Sequence, residues 1–120
     1  MTELEELEAL DDLISAVKAG ETCRVHIERM SAQAGLAEAG SIYGNAYQGS
    51  VDSGLLVYEA LQLGGEGHVI EFTTEDDKVT CRLHNAYWSN PYRVYAVSPT
   101  KGKALFLACL YAYRSTLVAS

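Results

Sequence analysis

Two tetrapeptides in this sequence have the residue types of a metal site. Cys23-Arg24-Val25-His26 returns 58 positions later as Cys81-Arg82-Leu83-His84. Two thiolates with two imidazoles are the ligand set of tetrahedral zinc. The second copy, however, lies in KVTCRLHN (78–85), where Val79, Cys81 and Leu83 alternate with Thr80, Arg82 and His84. Such alternation marks a strand with one buried face. Cys81 and His84 then point to opposite faces and cannot share an ion without a bulge between them. The first pair converges only if its segment is helical, and half a site does not hold zinc. The expectation is a buried thiol and an exposed imidazole, with no metal and no cofactor.

The other reactive groups are scattered in the same way. Gly64, Gly65 and Gly67 look like a phosphate-cradling loop, but such loops run from a strand into a helix N-terminus. Here the order is helix into strand, so these glycines read as a helix stop and a turn. Cys109 stands in a wholly apolar run, and Glu75, Asp76 and Asp77 cluster where a tight turn is expected. His26, His68 and His84 belong to no catalytic motif. No nucleophile has a base and an orienting group at recognisable spacing, which makes a non-enzyme the expectation. The alternative is a small-molecule binder or enzyme with a pocket between sheet and helices, using His68, His84 or Glu71. A third possibility is a structural or assembly protein that self-associates through an unpaired sheet edge.

Two segments have the composition of binding surfaces. In YWSNPYRVY (87–95), Tyr87, Trp88, Tyr92, Arg93 and Tyr95 match the residue types of interface hot spots. The same rings would also serve to cover a sheet face under a helix, and alternation allows both uses at once. The second segment is acidic. Glu3, Glu5, Glu6, Glu8, Asp11 and Asp12 carry six of the sixteen acids, and the formal net charge is −7. The remaining 108 residues, with ten acids and nine bases, are close to neutral. This balance argues against direct nucleic-acid binding, which needs a basic stripe. The acidic face either confers solubility or steers the chain to a basic protein surface.

These groups have to be positioned by a chain of 120 residues, 48% hydrophobic and 21% charged. That is enough for one domain over 1–120 with its own core. Leu7, Leu10, Ile14 and Val17, with Leu4 and Leu13 beside them, form one stripe of a helix over 2–19. Thr2 and Glu5 have capping-box spacing, and Gly20 follows the helix. TCRVHIERMSAQAG (22–35) reads as a second helix with Cys23, Ile27, Met30 and Ala34 on one face, or as a strand over 22–28. Residues 36–49 read as a loop with at most one helical turn. Ser50 caps a third helix whose face is Val51, Leu55, Tyr58 and Leu61 or Gln62. HVIEFTT and KVTCRLHN form a hairpin about EDDK, and YRVYAV (92–97) adds a third strand. A last helix after Ser98 or Thr100 carries Ala104, Leu107, Ala108, Tyr111 and Leu117 or Ser115, and is apolar nearly all round. The expected class is α+β: N-terminal helices, a three-stranded antiparallel meander, and a C-terminal helix packed on the sheet.

YQGSVDSGLL (47–56), the strand pair and ALFLACLYA (104–112) together resemble small phage and prophage proteins with a phage ABA-sandwich type domain. In those, a Tyr-x-x-Ser-x-Asp helix start precedes two or three strands, and an Ala- and Leu-rich helix closes the unit. The resemblance covers residues 47–113, with an α-ββ-β-α unit over about 47–118. Lys101-Gly102-Lys103 stands where Pro-Ala-Leu is usual. The resemblance implies a mobile-element origin and brings no catalytic residues. It also implies a non-catalytic protein that binds and inhibits a host defence protein, as anti-CRISPR inhibitors do. The partner expected is a host protein, with nucleic-acid-binding defence complexes among the candidates. The longest apolar run, ten residues from Ala104 to Tyr113, is short of the roughly 20 that span a bilayer. With no basic-then-apolar start, the expected location is the host cell cytoplasm.

Overall fold

The structure, a computed structural model, describes residues 3–20, 24–36, 41–61, 63, 68–85 and 92–119. Its elements in chain order are α1 (Glu3–Ala19), α2 (Arg24–Gln33), α3 (Ser41–Tyr47), α4 (Val51–Ala60), β1 (His68–Glu75), β2 (Lys78–Asn85), β3 (Tyr92–Ser98) and α5 (Lys101–Ala119). The expected α+β class is the observed one.

The sheet follows from two local rules. Asp76 and Asp77 both have positive φ, 48° and 64°. This is the left-handed pair of a two-residue hairpin turn, whose twist matches that of the strands it joins. With Glu75 opposite Lys78, the register runs back to His68 opposite Asn85, and β3 pairs with β2 from Ser98–Val79 to Tyr92–Asn85. The order β1-β2-β3 leaves β1 and β3 as edges. Period-two alternation then turns Val79, Cys81, Leu83, Tyr92 and Ala96 inward, where all are buried.

Helix α5 lies against that inner face and contacts β2 and β3 on one side and α1, α3 and α4 on the other. This double coverage explains its all-round apolar composition. Residues 104–110 are all buried, and every one of them except Leu107 is fully excluded from solvent. Thr100 starts the helix by accepting from the Lys103 N–H at 3.2 Å. On α1, Leu10, Leu13, Ile14 and Val17 are buried as the stripe requires. Gly20 and Gly35 follow α1 and α2 in left-handed backbone, φ +78° and +74°. Segment 24–33 is helical, so the strand alternative does not hold; Ile27 is buried and Ser31 Oγ donates to the Ile27 carbonyl at 2.8 Å. Thr2 and Cys23 lie outside the described residues.

Two expectations need correction. Residues 41–47 are a helix, not a loop. Gly44 and Asn45 are poor helix formers, but Tyr43, Ala46 and Tyr47 are buried, and both rings meet Phe106 edge-on at 6.1 and 6.5 Å. Tertiary burial outweighs the weak local preference. In α4 the buried face is Ser53, Gly54, Val57 and Tyr58, followed by Leu61, whereas Leu55 and Leu56 are exposed. The helix is rotated because Gly54 seats it on Leu105: a Cβ at position 54 would stand 2.8 Å from Leu105 Cδ2. The Ser50 cap is as expected, accepting from the Ser53 N–H at 3.1 Å.

Candidate functional site

Since α5 covers only the inner face of the sheet, alternation delivers the other half of each strand to solvent. The outer face reads across the strands in rows: Val69, His84 and Arg93; Glu71, Arg82 and Tyr95; Thr73, Thr80 and Val97. Among the described residues no helix packs on it. Tyr95 is 66% exposed, Val97 45% and Val69 39%, and Arg82 and Arg93 beside them are exposed too. Apolar groups of that size normally face a core, so their grouping on one open surface is the notable feature. A depression of about 600 Å³ in this face is lined by Val69, Glu71, Arg82, His84, Arg93 and Tyr95.

The aromatic segment divides as alternation allows. Tyr95 and Arg93 point outward. Tyr92, expected at a partner surface, is buried: its hydroxyl donates to the Leu63 carbonyl at 2.7 Å and lies 3.1 Å from the Tyr58 hydroxyl. Its even position on β3 turns it inward, where the Leu63 carbonyl takes its proton and the Tyr58 hydroxyl donates to its oxygen. Burial raises the Tyr92 and Tyr58 pKa values, so both stay neutral. Tyr87 and Trp88 lie outside the described residues.

The acidic helix divides likewise. Glu5, Glu8 and Asp12 are exposed. Glu6 is half-buried near Gly35, and its charge adds to the burial that raises the Tyr113 pKa. Asp11 accepts from Nε and Nη2 of Arg114, tying α1 to α5. Its carboxylate is therefore engaged within the fold. The side chain of Glu3 lies outside the described residues.

Cys81 and His84 occupy opposite faces of β2, the thiol fully buried and the imidazole half-buried. Burial pushes the Cys81 thiol from 9.0 up to about 12, and raises Cys109 as well, so neither is a thiolate at neutral pH. Among the described residues no three His, Cys, Asp or Glu side chains gather as metal ligands would. Glu71 and His84 do share the outer depression, whereas the side chain of His68 lies outside the described residues. Among those residues, too, no helix is long and apolar enough to cross a membrane.

Sequence reasoning missed Val69, Arg82 and Val97 as members of the exposed face. Alternation already placed Arg82 and Val97 opposite the buried residues, but it carries no sign that nothing covers them. No family model matches the sequence, and no curated protein or solved structure is significantly similar to it.

Proposed function

We propose that this chain is a non-catalytic protein-binding module that engages its partner with the open outer face of the sheet. The observation that supports this reading is the exposure of Tyr95, Val97 and Val69 together, flanked by Arg82 and Arg93. Aromatic, aliphatic and arginine side chains in one patch are the composition from which interface hot spots are built. The exposed acids Glu5, Glu8 and Asp12 offer a second, charged surface. The resemblance to phage proteins supplies the finer reading: the partner is a host defence protein, a CRISPR effector among them, and binding inhibits it.

The test is affinity capture from host lysate with the wild-type chain, a Tyr95→Ala/Arg93→Glu double variant and a Glu5→Lys/Glu8→Lys variant. One host protein should be recovered by the wild type and lost with the first variant, at physiological salt. Equal recovery by all three chains would defeat the proposal. The outer depression favours a second reading, a small-molecule site using Glu71 and His84. A thermal shift with a metabolite panel that Glu71→Gln abolishes would establish it.

A further inference from the structure

Beside that face, and sharing Arg93, Tyr95 and Val97 with it, a groove runs along the edge of β3, which no described strand covers. It has a volume of about 880 Å³ and runs between β3, with Pro99 just after it, and the C-terminal end of α1, with α5 as its floor. Val17, Leu107 and Tyr111 from the helices belong to the apolar part of its lining, with Val94, Ala96 and Val97 from β3. Four of the chain's nine bases, Lys18, Arg93, Lys103 and Arg114, line it, and none of its sixteen acids does among the described residues. Arg114 is offset by Asp11. Lys18 and Lys103 rest over the Tyr111 and Tyr47 rings at 6.0 and 4.8 Å. In a chain of net charge −7, this is a local concentration of positive charge.

The strand edge adds directional chemistry. The two-residue turn makes Glu75 and Lys78 a hydrogen-bonded pair, and such pairs alternate along an antiparallel ladder. Thr80, Arg82 and His84 therefore bond toward β1, while Val79, Cys81, Leu83 and Asn85 bond toward β3. Their partners Ser98, Ala96, Val94 and Tyr92 spend their backbone groups on β2. The N–H and C=O groups of Arg93, Tyr95 and Val97 then face the groove. Ser98 also lies in its lining, and its Oγ is buried with no hydrogen-bond partner among the described residues.

We infer that this groove binds an acidic, extended peptide segment of a partner protein, which adds to the sheet as a fourth strand against β3. Main-chain bonds to residues 93, 95 and 97 hold the segment, and its carboxylates meet Lys18, Arg93 and Lys103. A nucleic acid fits less well. It lacks the amide ladder that the edge is built to meet, and a long polyanion would be repelled by the rest of the chain. The inference rests on the protein-binding reading and names the chemistry of the segment recognised.

The probe is a fluorescein-labelled peptide, Glu-Thr-Glu-Val-Glu-Thr, followed by anisotropy and by amide exchange of the full chain. Saturable binding should appear, weaken with added salt, and slow exchange at Tyr95 and Val97 by about tenfold or more. Lys18→Glu/Lys103→Glu, one position exposed and the other half-buried, should weaken it by about tenfold or more. Val97→Pro should do the same, because it removes an edge donor without touching the ladder to β2. Circular dichroism establishes that each variant is folded. Absence of binding, equal binding of a lysine-for-glutamate peptide, or exchange unchanged at residues 95 and 97 would overturn the inference. So would displacement by an oligothymidylate, or edge protection that rises with protein concentration alone, which would assign the groove to nucleic acid or to a second copy. Host-protein capture that needs Tyr95 but is indifferent to Lys18→Glu/Lys103→Glu removes the groove and keeps the open face. Peptide binding without any captured protein does the reverse.

Discussion

Replacing Gly102 by alanine should be one of the most damaging single-methyl changes in the chain. Gly102 stands in the first turn of α5 against the turn between α3 and α4. A Cβ there would lie inside the contact distance of the Gly49 carbonyl carbon and oxygen, and 2.6 Å from the Ser50 nitrogen. All three are backbone atoms, so no side chain can swing away, and one segment has to retreat by roughly an ångström. Overfilling a tight site costs about 1–3 kcal/mol. The same retreat pulls on two helix caps, Ser50 on α4 and Thr100 on α5, each worth about 1 kcal/mol. Alanine's better helix propensity returns less than about 1 kcal/mol. The net loss is about 3 kcal/mol, a large fraction of a typical domain's stability, and should lower Tm by about 10 °C. Gly20→Ala is the control. Gly20 has φ +78°, but a Cβ there would meet nothing within 4 Å, so only the left-handed backbone opposes the change, at about 1–2 kcal/mol. Thermal and urea denaturation of both variants decide the matter. A Gly102→Ala protein as stable as wild type, or less affected than Gly20→Ala, would refute the reasoning.

Tyr92→Phe leaves the buried Leu63 carbonyl without its donor, and should cost about 1–3 kcal/mol in urea unfolding. Asp77→Gly relieves a non-glycine residue at φ 64° and should stabilise the hairpin by up to about 1 kcal/mol, read as a rise in Tm. Stability should also fall at alkaline pH. The unfolded chain ionises its thiols near pH 9.0, whereas the folded Cys81 holds its proton to about 12. The contribution is thus complete below pH 9.0 and is lost as pH climbs toward 12, at up to about 1.4 kcal/mol per pH unit for each such thiol. Cys81→Ala should flatten that slope, and a wild-type profile level above pH 9.0 would contradict it.

Much of the architecture was legible because period and cap are local properties. The alternation of Val79, Cys81 and Leu83 with Thr80, Arg82 and His84 set both faces of β2, and with them the separation of thiol from imidazole. The EDDK connection marked the hairpin, its register coming only with the structure, and the all-round apolar run of α5 announced an element covered on two sides. The α3 helix was not legible, because Gly44 and Asn45 speak against it locally and only burial against α2, α4 and α5, the Phe106 ring included, makes it favourable. The face of α4 was misread for the same reason. Gly54 carries no hydrophobic signal, yet its missing side chain is what lets Leu105 approach.

For the candidate site, the sequence by itself determined which strand residues share a face, since side-chain direction along a strand needs only counting. It also determined that Glu5, Glu8 and Asp12 belong to an acidic helix. Tertiary structure alone decided which of the two sheet faces α5 would cover, leaving Tyr95 in solvent and Tyr92 in the core. It alone paired Asp11 with Arg114 across 103 positions, and gathered Lys18, Arg93 and Lys103 from three elements along one strand edge. Burial and charge density are sums over neighbours in space, and chain order does not supply that sum.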